Sequence, residues 1–231
     1  LLKPPTYTVL AGIILLAILG WATQRRQGKP VHENARVTDH VTTFQSVCAS
    51  CHGEKGEGKR ELMTPSIASL PRWYIEEQMG KFRNGQRGAH TQDVHGQTMR
   101  AAISVLSEDQ IAEALDYIDA LPALSHEPTL KGDAKRGSQL YEDNCMGCHR
   151  FNGHGELVFH SASLNGLQDW YLLDQINKFQ QGIRGYHPDD EAGVKMRQAV
   201  SHITSEQQKL DLLTFLTILA KKHPVVKGAR F

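Results

Sequence analysis

The sequence predicts an all-α fold: two tandem copies of one helical unit, preceded by one transmembrane helix. Three observations carry this. A set of residues recurs at a constant offset of 97 positions, the separation of Cys48 and Cys145. Apolar residues recur at helical spacing in both copies, and nothing alternates with period two for long enough to make a substantial sheet. Between Thr6 and Thr23 there is no charged residue. The length agrees, since 231 residues leave room for two units of about 100, each with a core of its own. With 26 Lys+Arg against 25 Asp+Glu the formal net charge is +1, which argues against nucleic acid as the main partner. Charged residues at 22% and hydrophobic ones at 40% argue against a disordered chain, and 20 Gly and 9 Pro against a fibrous one.

Taken in order, residues 1–24 read as a membrane anchor. Val9–Trp21 is almost wholly apolar, with Ile13, Ile14, Leu15, Leu16, Ile18 and Leu19 in its middle. Tyr7 and Trp21 stand at its two edges, where interfacial aromatics are found. No small-x-small site follows it, which favours an anchor over a cleaved signal peptide. A polar linker, 25–38, leads to the first unit, 39–124. There Val41, Phe44, Val47 and Cys51 recur at helical spacing, a middle helix covers Trp73–Arg83 with Ile75, Met79 and Phe82 on one face, and a last helix carries Ile111, Leu115 and Ile118. Ser107-x-x-Gln110 opens that last helix as a capping box, in which the hydroxyl accepts from the third backbone N–H. Pro122, Pro128 and Gly132 interrupt helical patterning around a second linker, 125–132. The second unit, 133–223, repeats the scheme with Leu140, Tyr141, Cys145 and Cys148, then Leu172, Ile176 and Phe179, then Thr204-x-x-Gln207 and Leu212, Phe215 and Leu219. Residues 224–231 form a tail.

The repeat runs without a gap through the centre of each unit. Trp73-Tyr74 corresponds to Trp170-Tyr171, Lys81-Phe82 to Lys178-Phe179, and Gly85 to Gly182. Arg87-Gly88 corresponds to Arg184-Gly185, His90 to His187, Asp93 to Asp190, Gly96 to Gly193, and Met99-Arg100 to Met196-Arg197.

All four cysteines fall in two close pairs, each followed directly by histidine: Cys48-Ala-Ser-Cys51-His52 and Cys145-Met-Gly-Cys148-His149. This is the C-x-x-C-H pattern of c-type haem attachment. Thiols three residues apart can form thioethers to the two vinyl carbons of one haem, and the adjacent histidine then reaches the iron. A structural zinc site would gather four ligands from two knuckles, and a thioredoxin-like pair needs a strand–helix context that is missing here. Two matches that use every cysteine point to two covalently attached c-type haems.

The sixth iron ligand decides between electron transfer and chemistry. A ligand shared by equivalent units should recur at the repeat offset, and Met99/Met196 does so. Met146 sits inside its own attachment loop. Met63 and Met79 have His160 and Ile176 as counterparts, and core filling is the common use of methionine. The expected metal ligands are therefore His52 and Met99 in the first unit and His149 and Met196 in the second, with His160 as the rival in the second. His90 and His187 lie in a repeated R-G-x-H. Donors to the haem propionates, or packing between the units, are favoured there over iron ligation. Lys55, Lys59 and Arg60 read as a solvated basic loop.

These residues resemble class I cytochromes c: the two attachment motifs, Met99 and Met196, the Gly137-x-x-x-Tyr141 before the second motif, and helices flanking each motif. The tandem arrangement over about Asp39–His223 is similar to the dihaem cytochrome c-four family, here with an anchor added. The resemblance implies two tandem class I cytochrome c domains. It also implies a proline carbonyl that orients the axial histidine; Pro65 fits, whereas Ala162 stands at the matching place in the second unit. Likewise His40 stands where the second unit has Gly137.

With His and Met on both irons, the implied activity is outer-sphere transfer of single electrons in a respiratory chain, with no catalytic residue. The donor would be a quinol-oxidising complex or a cytochrome, and the acceptor a haem-copper oxidase or other reductase. Membrane lipid would hold the N-terminal helix. Arg25 and Arg26 would by the positive-inside rule place the haem units in the cytoplasm. Haem attachment is completed on the outer face of the bacterial inner membrane, so the periplasmic side is expected instead. Leu1 is not an initiator methionine, and further positive charge can lie upstream. Two alternatives are a dihaem enzyme of peroxidase or thiosulfate-oxidising type, and a haem relay subunit fixed in a larger respiratory complex.

Overall fold

A computed structural model describes residues 41–227. The expected anchor 1–24 and linker 25–38 lie outside the described residues, and among those described no helix is long and apolar enough to cross a membrane. The described chain is helical, with β-structure limited to the isolated bridges Lys59↔Thr64 and Glu156↔Ser161.

Each unit runs through the same order. In the first, a π-helical turn at Phe44–Cys48 leads into α1 (Ala49–His52), a loop with a 3₁₀ turn at Arg60–Leu62, then α2 (Arg72–Arg83), α3 (Val94–Ser104) and α4 (Glu108–Ala120). In the second, α5 (Ala134–Asn144) and α6 (Met146–His149) precede a 3₁₀ turn at Leu157–Phe159, α7 (Asp169–Gln180), α8 (Glu191–Val200) and α9 (Glu206–Lys222). The middle helices match the expected spans closely, with Ile75, Met79 and Phe82 buried on α2 and Leu172, Ile176 and Phe179 on α7. At the first attachment motif, Phe44 is wholly buried and stacks on Tyr117 at 4.6 Å. Val41, read as part of the same apolar face, is instead exposed, because it precedes the first helical turn.

Two helices were not expected. α3 and α8 carry Met99 and Met196, and each is capped by an aspartate, Asp93 or Asp190, whose carboxylate accepts from the amide of Gly96 or Gly193. The capping box of α4 is formed by Ser107 and Gln110 as expected, but that of α9 is formed by Ser205 and Gln208 rather than Thr204 and Gln207. The repeat offset holds as far as the buried pair Leu106/Ile203 and then grows by one residue. Thr204 and Ser205 can both cap. Burial selects between them: with Ser205 at the cap, Leu212, Leu213, Leu216 and Leu219 face the core. Phe215 is left at the edge of that stripe, tilted against Tyr141 at 5.4 Å.

Gly137 lets α5 cross α9 at backbone contact, since a Cβ there would lie 2.0 Å from the carbonyl oxygen of Asp211. Four residues on, the Tyr141 hydroxyl donates to the carbonyl of Arg150 at 2.6 Å, tying α5 to the attachment loop. Between α4 and α5 the chain is non-helical and pinned to both units. Leu124 exchanges two hydrogen bonds with Ser69, and the amides of Thr129 and Leu130 donate to Asp169 at 2.6 and 2.7 Å.

Candidate functional site

The one-turn helices α1 and α6 present the attachment residues. His52 and His149 are both buried, each 7% exposed. Nδ1 of His52 lies 2.9 Å from the carbonyl oxygen of Pro65, and Nδ1 of His149 lies 2.8 Å from that of Ala162. A carbonyl only accepts, so Nδ1 carries the proton and Nε2 keeps its lone pair free for a metal. The alanine in the second unit therefore preserves the hydrogen bond that proline makes in the first. The loop returns to make this contact by a second pair of equivalent bonds: Thr64 Oγ1 donates to the carbonyl of Cys51 and Ser161 Oγ to that of Cys148. Gly58 and Gly155, both at positive φ, allow the close approach, for a Cβ at either would lie 2.3–2.6 Å from backbone atoms of the returning strand.

Burial lowers the pKa of both histidines against the opposing effect of the carbonyl bond, which keeps the imidazoles neutral and able to ligate. Burial, then the neighbouring thiol, pushes Cys48 up to about 11 and Cys145 up to about 12.

A continuous cavity of about 490 Å³ runs between the two units. The first unit contributes Cys48, Cys51, His52 and Met99 to its walls, and the second Cys145, Cys148, His149 and Met196. All eight residues expected from sequence thus border one space. Its flanks are largely aliphatic, with Ile67, Leu70, Ile75 and Ile103 contributed by the first unit and Leu164, Leu172, Ile176 and Ile203 by the second. Met79 is 5% exposed and packs in the core of the first unit, and both it and Met63 border the cavity beside Met99. His160 borders the cavity but directs Nδ1 to the Glu77 carboxylate of the first unit at 2.8 Å.

The wall common to both ends is polar and built by a pseudo-symmetric exchange. Arg87 donates to Gln78 at 2.9 Å and to the hydroxyl of Tyr171 at 3.0 Å. Arg184 donates to Gln175 at 2.8 Å and to the hydroxyl of Tyr74 at 3.2 Å. Each guanidinium also lies over a phenylalanine ring of its own unit, Phe82 or Phe179, at 4.6 Å. Lys81 reaches Asp190 at 2.8 Å and Lys178 reaches Asp93 at 3.0 Å. The repeated R-G-x-H is therefore an interface element. Its histidines stay outside the cavity wall, with the His90 ring edge-on to Tyr186 at 5.6 Å. Sequence reasoning did not single out Gln78 and Gln175. They stand at the same repeat offset, and two equivalent polar residues on an otherwise apolar helix face were the available signal.

The donor set fits haem. Each end offers two thiols three residues apart, an imidazole with its lone pair on Nε2, and a thioether, beside an apolar cavity whose common wall supplies guanidinium and ammonium groups.

The profile of the cytochrome c family matches the chain twice, over residues 41–122 and 134–220. The cbb3-type cytochrome c oxidase subunit FixP of Bradyrhizobium diazoefficiens is 28% identical over 153 residues, or 62% of this chain. The chain spans about half of that relative's length, 51%. Among solved structures, cytochrome c4 of Acidithiobacillus ferrooxidans superposes with a TM-score of 0.60 at 24% identity, covering 74% of this chain and 98% of the other, a likeness of fold. Thiosulfate dehydrogenase (TsdBA) of Marichromatium purpuratum superposes with a TM-score of 0.58 at 26% identity, covering 80% of this chain and 38% of the other.

Proposed function

Since the chain belongs to the cytochrome c family, with one family match in each half, and carries two covalently bound c-type haems, we propose that it is a membrane-anchored electron carrier of a respiratory chain. Cys48 and Cys51 attach one haem and Cys145 and Cys148 the other. His52 with Met99 would hold the iron of one haem, and His149 with Met196 that of the other. The observation that carries this reading is that the two units line one cavity with the same donors, carried on equivalent helices.

When bound, each haem supplies one-electron chemistry as its iron alternates between ferric and ferrous. The chain's residues do the rest. Pro65 and Ala162 orient the imidazoles, and the aliphatic flanks exclude water. Sulfur from Met99 and Met196 would leave no position for oxygen or peroxide, and a His/Met pair would favour a high potential. That closure separates a carrier from an enzyme. Residues 1–24 hold the protein to the bacterial inner membrane with the haem units on the periplasmic side. Electrons arrive from a quinol-oxidising complex or a cytochrome and leave to a haem-copper oxidase or other reductase; the similarity to an oxidase subunit supports that acceptor.

A potentiometric titration of the purified protein, followed by its absorption spectrum, tests this. Two low-spin, high-potential haems are expected, with the weak red band of methionine sulfur on ferric haem. Met99→Ala and Met196→Ala should each remove one haem's share of that band. One high-spin haem that binds cyanide or reacts with peroxide in the unsubstituted protein overturns the carrier reading for that haem.

A second reading, a relay subunit fixed in a larger complex, is favoured by one observation. Leu157, Val158 and Phe159 are 47, 78 and 48% exposed beside the second attachment loop, where the first unit has Arg60, Glu61 and Leu62. Co-purification with an oxidase in mild detergent supports it, and recovery of the protein alone at unchanged yield counts against it.

A further inference from the structure

The aspartates that cap the two methionine-bearing helices are each paired with a lysine of the opposite unit. Asp93 Oδ1 accepts from the amide of Gly96 at 3.1 Å, and the same oxygen lies 3.0 Å from Lys178 Nζ. Asp190 Oδ1 accepts from Gly193 at 3.0 Å and lies 2.8 Å from Lys81 Nζ. Both carboxylates are 3% exposed. The lysine side chains are 13 and 14% exposed, and each is braced by a carboxylate one turn back on its own helix, Glu77 or Asp174. Met99 and Met196 follow on the second turn of the capped helices.

From this geometry we infer that the methionine helices are positioned in trans: Lys81 of the first unit holds the helix that carries Met196, and Lys178 of the second holds the helix that carries Met99. A buried carboxylate stripped of its cation is left with an uncompensated charge. The cap then gives way, and with it the first turn of the helix. The start of each helix has little other freedom. A Cβ on Gly88 would lie 2.3 Å from the carbonyl oxygen of Gly96, and one on Gly185 2.2 Å from that of Gly193, so each helix start is seated against its own unit's R-G-x-H turn. The lysine completes the seat from the other side. The sulfur offered to one iron thereby depends on a residue of the other unit, which couples the two sites through protein structure as well as through space. The inference concerns lysines as positioning residues, and it rests on the proposed ligation by Met99 and Met196.

The test uses the haem-loaded protein and two readouts. In Met99→Ala the remaining red band reports Met196. Adding Lys81→Gln should lower the temperature at which that band bleaches by about 5 °C, and Lys81→Arg should recover most of the loss. Adding Lys178→Gln should leave it in place. The mirror set in Met196→Ala should show the reverse. Hydrogen exchange supplies the second readout: Lys81→Gln should speed exchange of the Gly193 amide and leave that of Gly96 protected. Equal effects of both lysine substitutions on one band, or a larger effect within the lysine's own unit, overturn the inference. Survival of the band in the Met99→Ala, Met196→Ala double variant overturns the ligand assignment; the exchange pattern then decides separately whether the capping in trans stands.

Discussion

His160 of the second unit and Glu77 of the first meet across the interface at 2.8 Å. Met63, the residue at the equivalent position of the first unit, shares the left-handed backbone of His160, with φ of 52 and 51°. Among the described residues, His160 is the one histidine of the second unit besides His149 that borders the cavity, and so the natural competitor of Met196.

The Glu77 carboxylate holds the Nδ1 side of the His160 ring at the interface. His160 is expected to serve as an interface contact, so His160→Ala should leave both haems low-spin with the red band intact. Since its side chain is 59% exposed, the loss of stability should stay below about 1 kcal/mol. Absorption spectra and thermal unfolding of the variant check both points. A second haem that turns high-spin in the variant, with the red band no weaker, would transfer the ligand role to His160.

The carbonyl of Ala162 lies as close to its histidine as that of Pro65 does, at 2.8 against 2.9 Å. Proline's own contribution is thus chain stiffness, not the hydrogen bond. Pro65→Ala should leave the spectrum and the first haem's potential unchanged and cost at most about 1 kcal/mol, by the added freedom of the unfolded chain. A potentiometric titration with thermal unfolding separates the two effects. A marked fall in the first haem's potential would show that the proline ring itself tunes the imidazole.

Much of this arrangement was legible in the sequence because it is local or repeated. The attachment motifs fix thiols and imidazole within five residues, and the repeat offset singles out Met99 and Met196 from five methionines. The extra residue before α9 was hidden because Thr204-Ser205 and Gln207-Gln208 offer two capping boxes of equal quality one step apart; only burial of Leu213 and Leu216 chooses. The methionine-bearing helices were hidden because their caps are Asp93 and Asp190, whose charges are balanced by lysines more than eighty residues away. The exchange of Arg87 and Arg184 is of the same kind: the repeat marks both arginines but says nothing of which unit each one serves.

Asp211 provides a pH-dependent element in the second unit. Its carboxylate accepts from Arg136 Nε at 2.7 Å, and this bond, helped by the Asp133 amide and Gln207, outweighs burial and holds its pKa at about 2. A depressed carboxylate stabilises the fold above its unfolded value and loses that contribution as pH falls through the folded one. The window runs from about 4 down to about 2. Asp211→Asn should therefore melt below the unsubstituted protein at neutral pH, and the gap should close across that window. A gap that stays constant down to the lower limit would show that the role of Asp211 is steric.

Arg184 bears on both haems at once. Its guanidinium borders the shared cavity, donates to Gln175 of its own unit at 2.8 Å, and reaches Gln78 and the Tyr74 hydroxyl of the other at 3.1 and 3.2 Å. Its effect on Tyr74 is already visible: burial alone would raise the phenol's pKa, and the charges of Arg184 and then Arg87 more than reverse it. The same positive charge opposes oxidation of any centre facing the cavity, because the ferric state carries one more positive charge than the ferrous. Arg184→Met keeps bulk and removes the charge, so both potentials should fall, each by tens of millivolts, as expected for a unit charge at about 10 Å in a medium of effective dielectric about 20. Arg87→Met should do the same from the equivalent place. If the charge acted within one unit only, each variant would move a single potential. A titration resolving two equal downward shifts in both variants establishes instead that the two arginines form one electrostatic wall serving both haems.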